Sequence, residues 1–85
     1  MQRQPAVLHR LFDGETVLYQ PETDGVVTLD RIGSVIWELL EEPGSVDELV
    51  PDLAVAFKAD AQQVRSDVIV LFEKLLESDV IEPVE

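Results

Sequence analysis

His9 is the only histidine in the chain, and a neutral imidazole is the side chain that ordinarily exchanges a proton near pH 7. It could serve as a general base, but nothing in the sequence is arranged to use it. The chain has no cysteine, no serine is spaced to suggest a dyad, and Leu8-His9-Arg10-Leu11 reads as a strand with His9 partly exposed. Carboxylates gather at Glu41-Glu42, at Asp47-Glu48 and at Glu77-x-Asp79. None follows the Asp-x-Asp-x-Asp-Gly spacing that wraps a calcium ion. Asp47, Glu48, Asp60 and Asp67 fall in or near first helical turns or on a helix face, where acids favour the helix dipole or face water. Only four glycines are present and none are clustered, which excludes a phosphate-cradling loop. Without cysteine there is no disulfide, thiol nucleophile or cysteine-ligated metal. The residue types therefore imply no enzyme, no cofactor and no metal. The chemistry left open is that of binding.

Charge narrows what could be bound. Eighteen acids against six bases give a formal net charge of −12. Nucleic acid needs a basic face to displace counterions from its phosphates, and an anionic membrane makes the same demand. Neither is expected as a partner. A neutral or basic peptide is compatible with the charge, and so is the plain use of acids to keep a small domain soluble. With 46% hydrophobic and 28% charged residues the chain is globular rather than disordered. At 85 residues it reads as a single domain over 1–85. Its start lacks the apolar run of a signal peptide, and no stretch approaches the roughly 20 apolar residues that span a bilayer. A soluble cytoplasmic protein is the expectation.

The elements that must position a binding surface change character along the chain. Ala6–Phe12 is apolar and β-branched and ends at Asp13-Gly14, a strong tight-turn dipeptide. Glu15–Gln20 reads as the returning strand, and Pro21–Gly25 as a loop with Gly25 at positive φ. Gly25–Asp30 is a third short strand, so a β-meander over about 6–30 is predicted. The period then switches from 2 to 3.6. Asp30 is an N-cap candidate, and Ile32, Val35, Ile36, Leu39 and Leu40 form one stripe, with Trp37 beside it as a core residue. Pro43-Gly44 ends this helix. Ser45-x-x-Glu48 is a capping box opening a second helix, whose inner face is Val46, Leu49, Val50, Leu53 and Phe57. Pro51 predicts a kink or a fresh start. Asp60 opens a third helix running to about Glu77, completing three helices over about 31–78, and Val80-Ile81 could add a short strand. The fold class is α+β and winged helix-turn-helix-like, a three-stranded antiparallel sheet followed by three helices. That scaffold often reads DNA, but the charge here is wrong for it.

Two features could form a binding surface. The strand Gly25–Leu29 carries no charge, and at a sheet edge it would offer unpaired backbone groups to an added strand. Cover by the tail or by another strand remains open. On the third helix Val64, Val68, Leu71, Phe72 and Leu75 centre one face, Ile69 and Leu76 extend it on one side, and Gln63, Asp67, Val70 and Lys74 flank the other. The apolar arc spans about 180°, wider than a core-facing stripe needs. Such a helix is either buried on two sides or exposes part of its face to a ligand.

Leu29-Asp30-x-x-Gly33-x-x-Ile36-Trp37, together with Asp67-Val68-x-x-Leu71-x-x-Leu75 at this order and spacing, resembles the PqqD-like family of peptide-binding domains, also called RiPP recognition elements. The chain departs from its relatives in having Ser78-Asp79-Val80-Ile81 where they usually carry Gly before the final apolar pair. The resemblance implies a non-catalytic adaptor that captures the leader segment of a ribosomally made precursor peptide. In that family the leader adds antiparallel to the third strand and rests on the third helix. Carried over, the contacts would come from Val26, Val27, Thr28 and Leu29 on the strand, and from Gln63, Val64, Asp67, Val68, Leu71 and Lys74 on the helix. The compact length, the acidity and the strand arm look most like the stand-alone leader-binding protein of lasso-peptide biosynthesis, whose partners are a leader peptidase and a macrolactam synthetase. Two other readings stand beside this one: a protein–protein or dimerisation module using the same strand, and a DNA-binding regulator.

Overall fold

Asp13 and Gly14 both take positive φ, 51° and 79°, which is the two-residue turn that matches the twist of a hairpin. It joins β2 (Leu8–Phe12) to β3 (Glu15–Gln20) with Phe12 opposite Glu15. The structure is a computed structural model describing residues 1–84. β3 pairs antiparallel with β4 (Gly25–Leu29), giving a three-stranded meander in the order β2-β3-β4. Alternation along the strands sorts the side chains. Thr16, Leu18 and Gln20 of β3 and Val27 and Leu29 of β4 are buried, while Val17, Val26 and Thr28 face outward. In the β3–β4 loop the positive φ falls on Asp24, at 58°, and not on Gly25. The Asp24 carboxylate accepts the Tyr19 hydroxyl, and Asp tolerates the left-handed region better than most residues because its short side chain bonds locally.

The helices begin where the caps place them. Asp30 Oδ1 accepts Gly33 N–H at 2.8 Å at the start of α1 (Arg31–Leu39). Ser45 and Glu48 form a complete capping box on α2 (Val46–Phe57). Asp60 Oδ1 accepts Gln62 N–H at 2.8 Å on α3 (Ala61–Glu77). Pro51 lies within α2 without splitting it into two helices, and Leu49, Val50 and Leu53 are buried on its inner face. The stripe expected on α1 is rotated. Gly33, Ile36, Trp37 and Leu40 are buried, whereas Ile32 is 44% exposed. Trp37 sets that rotation: it is 2% exposed, as expected of a core residue, and the largest side chain of the helix buries the most apolar area.

α3 ends in a Schellman motif. Val80 N–H bonds to Leu75 C=O and Asp79 N–H to Leu76 C=O, both at 3.1 Å, with Asp79 in the left-handed position at φ 57° where glycine is usual. Val80 and Leu75 are both fully buried. The turn delivers β5 (Ile81–Glu82) against β1 (Gln2–Arg3), the second, two-stranded sheet. Arg3 fastens this clasp to α1. Its guanidinium donates to the Trp37 carbonyl and stacks 4.6 Å from the indole centroid. The expected tail strand therefore exists, but it pairs with the N-terminus. No helix among the described residues is long and apolar enough to cross a membrane.

Candidate functional site

Because the tail turns away to β1, it does not cover β4. Among the described residues the three-stranded sheet ends there, so β4 has one paired and one free side, and alternate residues direct backbone N–H and C=O groups toward the free side. The strand Gly-Val-Val-Thr-Leu carries neither charge nor proline, the usual devices against edge pairing.

The motif around Gly33 sets the end of this edge. A Cβ at position 33 would stand 3.2 Å from Leu29 Cβ and 3.3 Å from Asp30 Oδ1, tighter than ordinary contact. Glycine lets α1 close onto the last strand residue while Asp30 keeps its cap. Ser34, also buried, reaches the Leu29 carbonyl at 3.4 Å. These short-range contacts hold β4 and α1 at a fixed angle and leave a groove between them and α3.

The groove has a volume of about 390 Å³ and is lined by Asp30, Ile32, Gly33, Ile36, Asp67, Val70, Leu71 and Lys74. A side opening of about 180 Å³ runs to Thr28 and Leu29 between Leu71 and Lys74, which brings the end of β4 beside α3. A narrow recess of about 60 Å³ continues inward between Ile36, Leu53, Phe57, Val64 and Val68. The floor is apolar and the rim is polar. Asp67 is oriented by Gln63, whose amide donates to it at 3.1 Å.

The residues expected to bind occupy distinct places. Val26 and Thr28 are exposed on β4, while Val27 and Leu29 point into the core, so only their backbone is available at the edge. Asp67, Leu71 and Lys74 line the groove. Gln63, Val64 and Val68 line the inner recess, with Val64 and Val68 only 8% and 1% exposed. Val70, 65% exposed on the groove wall, and Asp30, Ile32, Gly33 and Ile36 complete the site. They are absent from the sequence-derived set. Val70 is legible as part of the α3 flank, but the sequence places Ile32 in the apolar stripe of α1, and only the rotation of that helix exposes it.

An open strand edge beside a half-apolar helix face is the arrangement of a domain that receives an extended peptide. The chain belongs to the PqqD family: coenzyme PQQ synthesis protein D (PqqD) matches residues 15–81, from β3 to β5. Its structure is similar to that of TbiB1 in complex with the TbiA(beta) leader peptide, with a TM-score of 0.89 and 29% identity over 100% of this chain and 99% of that one. No curated protein matches the sequence.

Proposed function

We propose that the chain is a non-catalytic adaptor that captures the leader segment of a ribosomally made precursor peptide and presents it to maturation enzymes. The leader adds as a fourth strand on the free side of β4, antiparallel as every neighbour in this sheet is. Its side chains alternate, and those on the inner face drop into the groove against Val70, Leu71 and Ile32. Main-chain bonds supply affinity with little sequence reading, and the groove supplies selectivity. The observation that carries this reading is the unpaired β4 edge opening onto the α3 groove, in the fold of a protein solved with a leader peptide.

The likeness to TbiB1, solved with the TbiA(beta) leader peptide, supports a leader binder of the lasso type, working in the cytoplasm with a leader peptidase and a macrolactam synthetase. Calorimetric titration with the leader of the precursor encoded beside it tests the proposal. One-to-one binding at micromolar or tighter is expected, and a folded protein that binds no leader contradicts it. The same free edge could pair with a second copy of the chain. Light scattering separates the two, because a dimer that persists with saturating leader would favour self-association.

A further inference from the structure

The chain has six cations, and their placement is uneven. Arg3 is committed to Trp37, and Arg65 is paired with Asp47 at 2.6 Å, the single salt bridge among the described residues. The other four have no carboxylate within ion-pair distance among the described residues; Arg10 is exposed on β2, while Arg31, Lys58 and Lys74 border the groove or its continuation. The groove shares Asp30 and Ile32 with a second depression of about 510 Å³, whose remaining walls are Arg31, Ala56, Phe57 and Lys58. Asp30, the one acid there, already accepts Gly33 N–H as a helix cap. The depression is therefore net cationic in a molecule of net charge −12, with apolar walls from half-buried Phe57 and Ile32.

Lys58 also sits in a costly conformation. It caps α2 in the left-handed region at φ 50°, where glycine is the favoured residue. A cation is held there at the expense of backbone energy, and such outliers gather at ligand sites.

We propose that this depression, between the start of α1 and the end of α2, is a subsite for an acidic side chain of the bound peptide, read by Arg31 and Lys58. The inference rests on strand addition at β4. A strand antiparallel to β4 has its N-terminal end beside Leu29 and α1. The acid therefore lies N-terminal to the paired segment, within a few residues at roughly 3.3 Å each. Its methylenes rest on Phe57 and Ile32, and its carboxylate meets the two cations.

The test titrates fluorescein-labelled leader of the adjacent precursor, and the same leader with each Asp and Glu before the paired segment changed to Asn or Gln. Both are run against wild type, the double variant Arg31→Gln/Lys58→Gly, and Val70→Asp. Glycine at 58 removes the charge where it relieves the backbone, so the double variant stays folded, which its thermal midpoint checks. The double variant is expected to bind the native leader roughly tenfold more weakly, the sum of two modest charge contacts, and to bind the neutralised leader as wild type does. Equal affinity of wild type and double variant for the native leader overturns the subsite, and so does an equal loss for both leaders. Val70→Asp should weaken both leaders alike, because it strikes the groove itself. Absence of any leader binding to wild type overturns strand capture and the subsite together.

Discussion

Asp79 stands in the left-handed position of a helix end where glycine is usual, and the structure shows how an aspartate is absorbed there. Its φ is 57°, and both Schellman hydrogen bonds are intact around it. Asp pays a steric cost there that glycine does not. Asp79→Gly should stabilise the domain by about 0.5–1 kcal/mol, raising the thermal midpoint by several degrees for a chain this size. Calorimetric melting checks it, and leader affinity should be unchanged. Val70 makes the opposite case. It lies only two residues along α3 from buried Val68 and Phe72, yet that step carries it to the opposite side of the helix and it is 65% exposed. Val70→Asp should move stability by no more than about 0.5 kcal/mol while weakening leader binding at least tenfold by anisotropy. At this scale the sequence was most legible where a backbone rule applied. The Asp13-Gly14 turn, the Asp30 and Asp60 caps and the left-handed Asp79 all follow from local chemistry. The positive φ assigned to Gly25 belongs to Asp24, because both residues can adopt it and the loop's own hydrogen bonds decide.

Among elements, the β1–β5 clasp has the widest consequence. Gln2 pairs with Glu82 and Arg3 with Ile81. A strand of two residues has no periodicity to read, and its partner lies at the far end of the sequence, so β1 was invisible in the sequence although β5 was not. By taking the tail, the clasp leaves β4 open. Arg3 anchors it with two hydrogen bonds to the Trp37 carbonyl and a stack on the indole. Arg3→Ala should cost about 1–2 kcal/mol of stability, measured by urea denaturation. Leader affinity should change little, because the clasp does not line the groove. The wide apolar arc of α3 was legible, and the structure resolves it: Val64, Val68, Phe72 and Leu75 are buried, while Val70 and Leu71 are left for the groove. The contribution of α1 was not legible. Its apolar stripe fits two rotations, and packing of Trp37 selects the one that exposes Ile32.

For the whole molecule, charge decides between uses of a shared architecture. Three helices after a small sheet can read DNA, but a chain with 18 acids and six bases repels phosphate backbones. No shift of random duplex is expected at 50 mM salt, and tight, salt-sensitive binding would reverse that view. The fold class followed from the switch in period at Asp30, and membership of the PqqD family followed from the spacing of two motifs. The groove could not be read in full, since it is made by three elements whose separation depends on Gly33 and on where the tail goes. The most direct test of strand capture at β4 is an amide-resolved NMR titration with the leader, paired with a scan in which each leader amide is N-methylated in turn. The account predicts shifts and slowed hydrogen exchange at Gly25–Leu29, with shifts along Asp67–Lys74, and affinity lost at every second methylated position. Binding that leaves the β4 amides unprotected, or a methylation profile without that alternation, would contradict it.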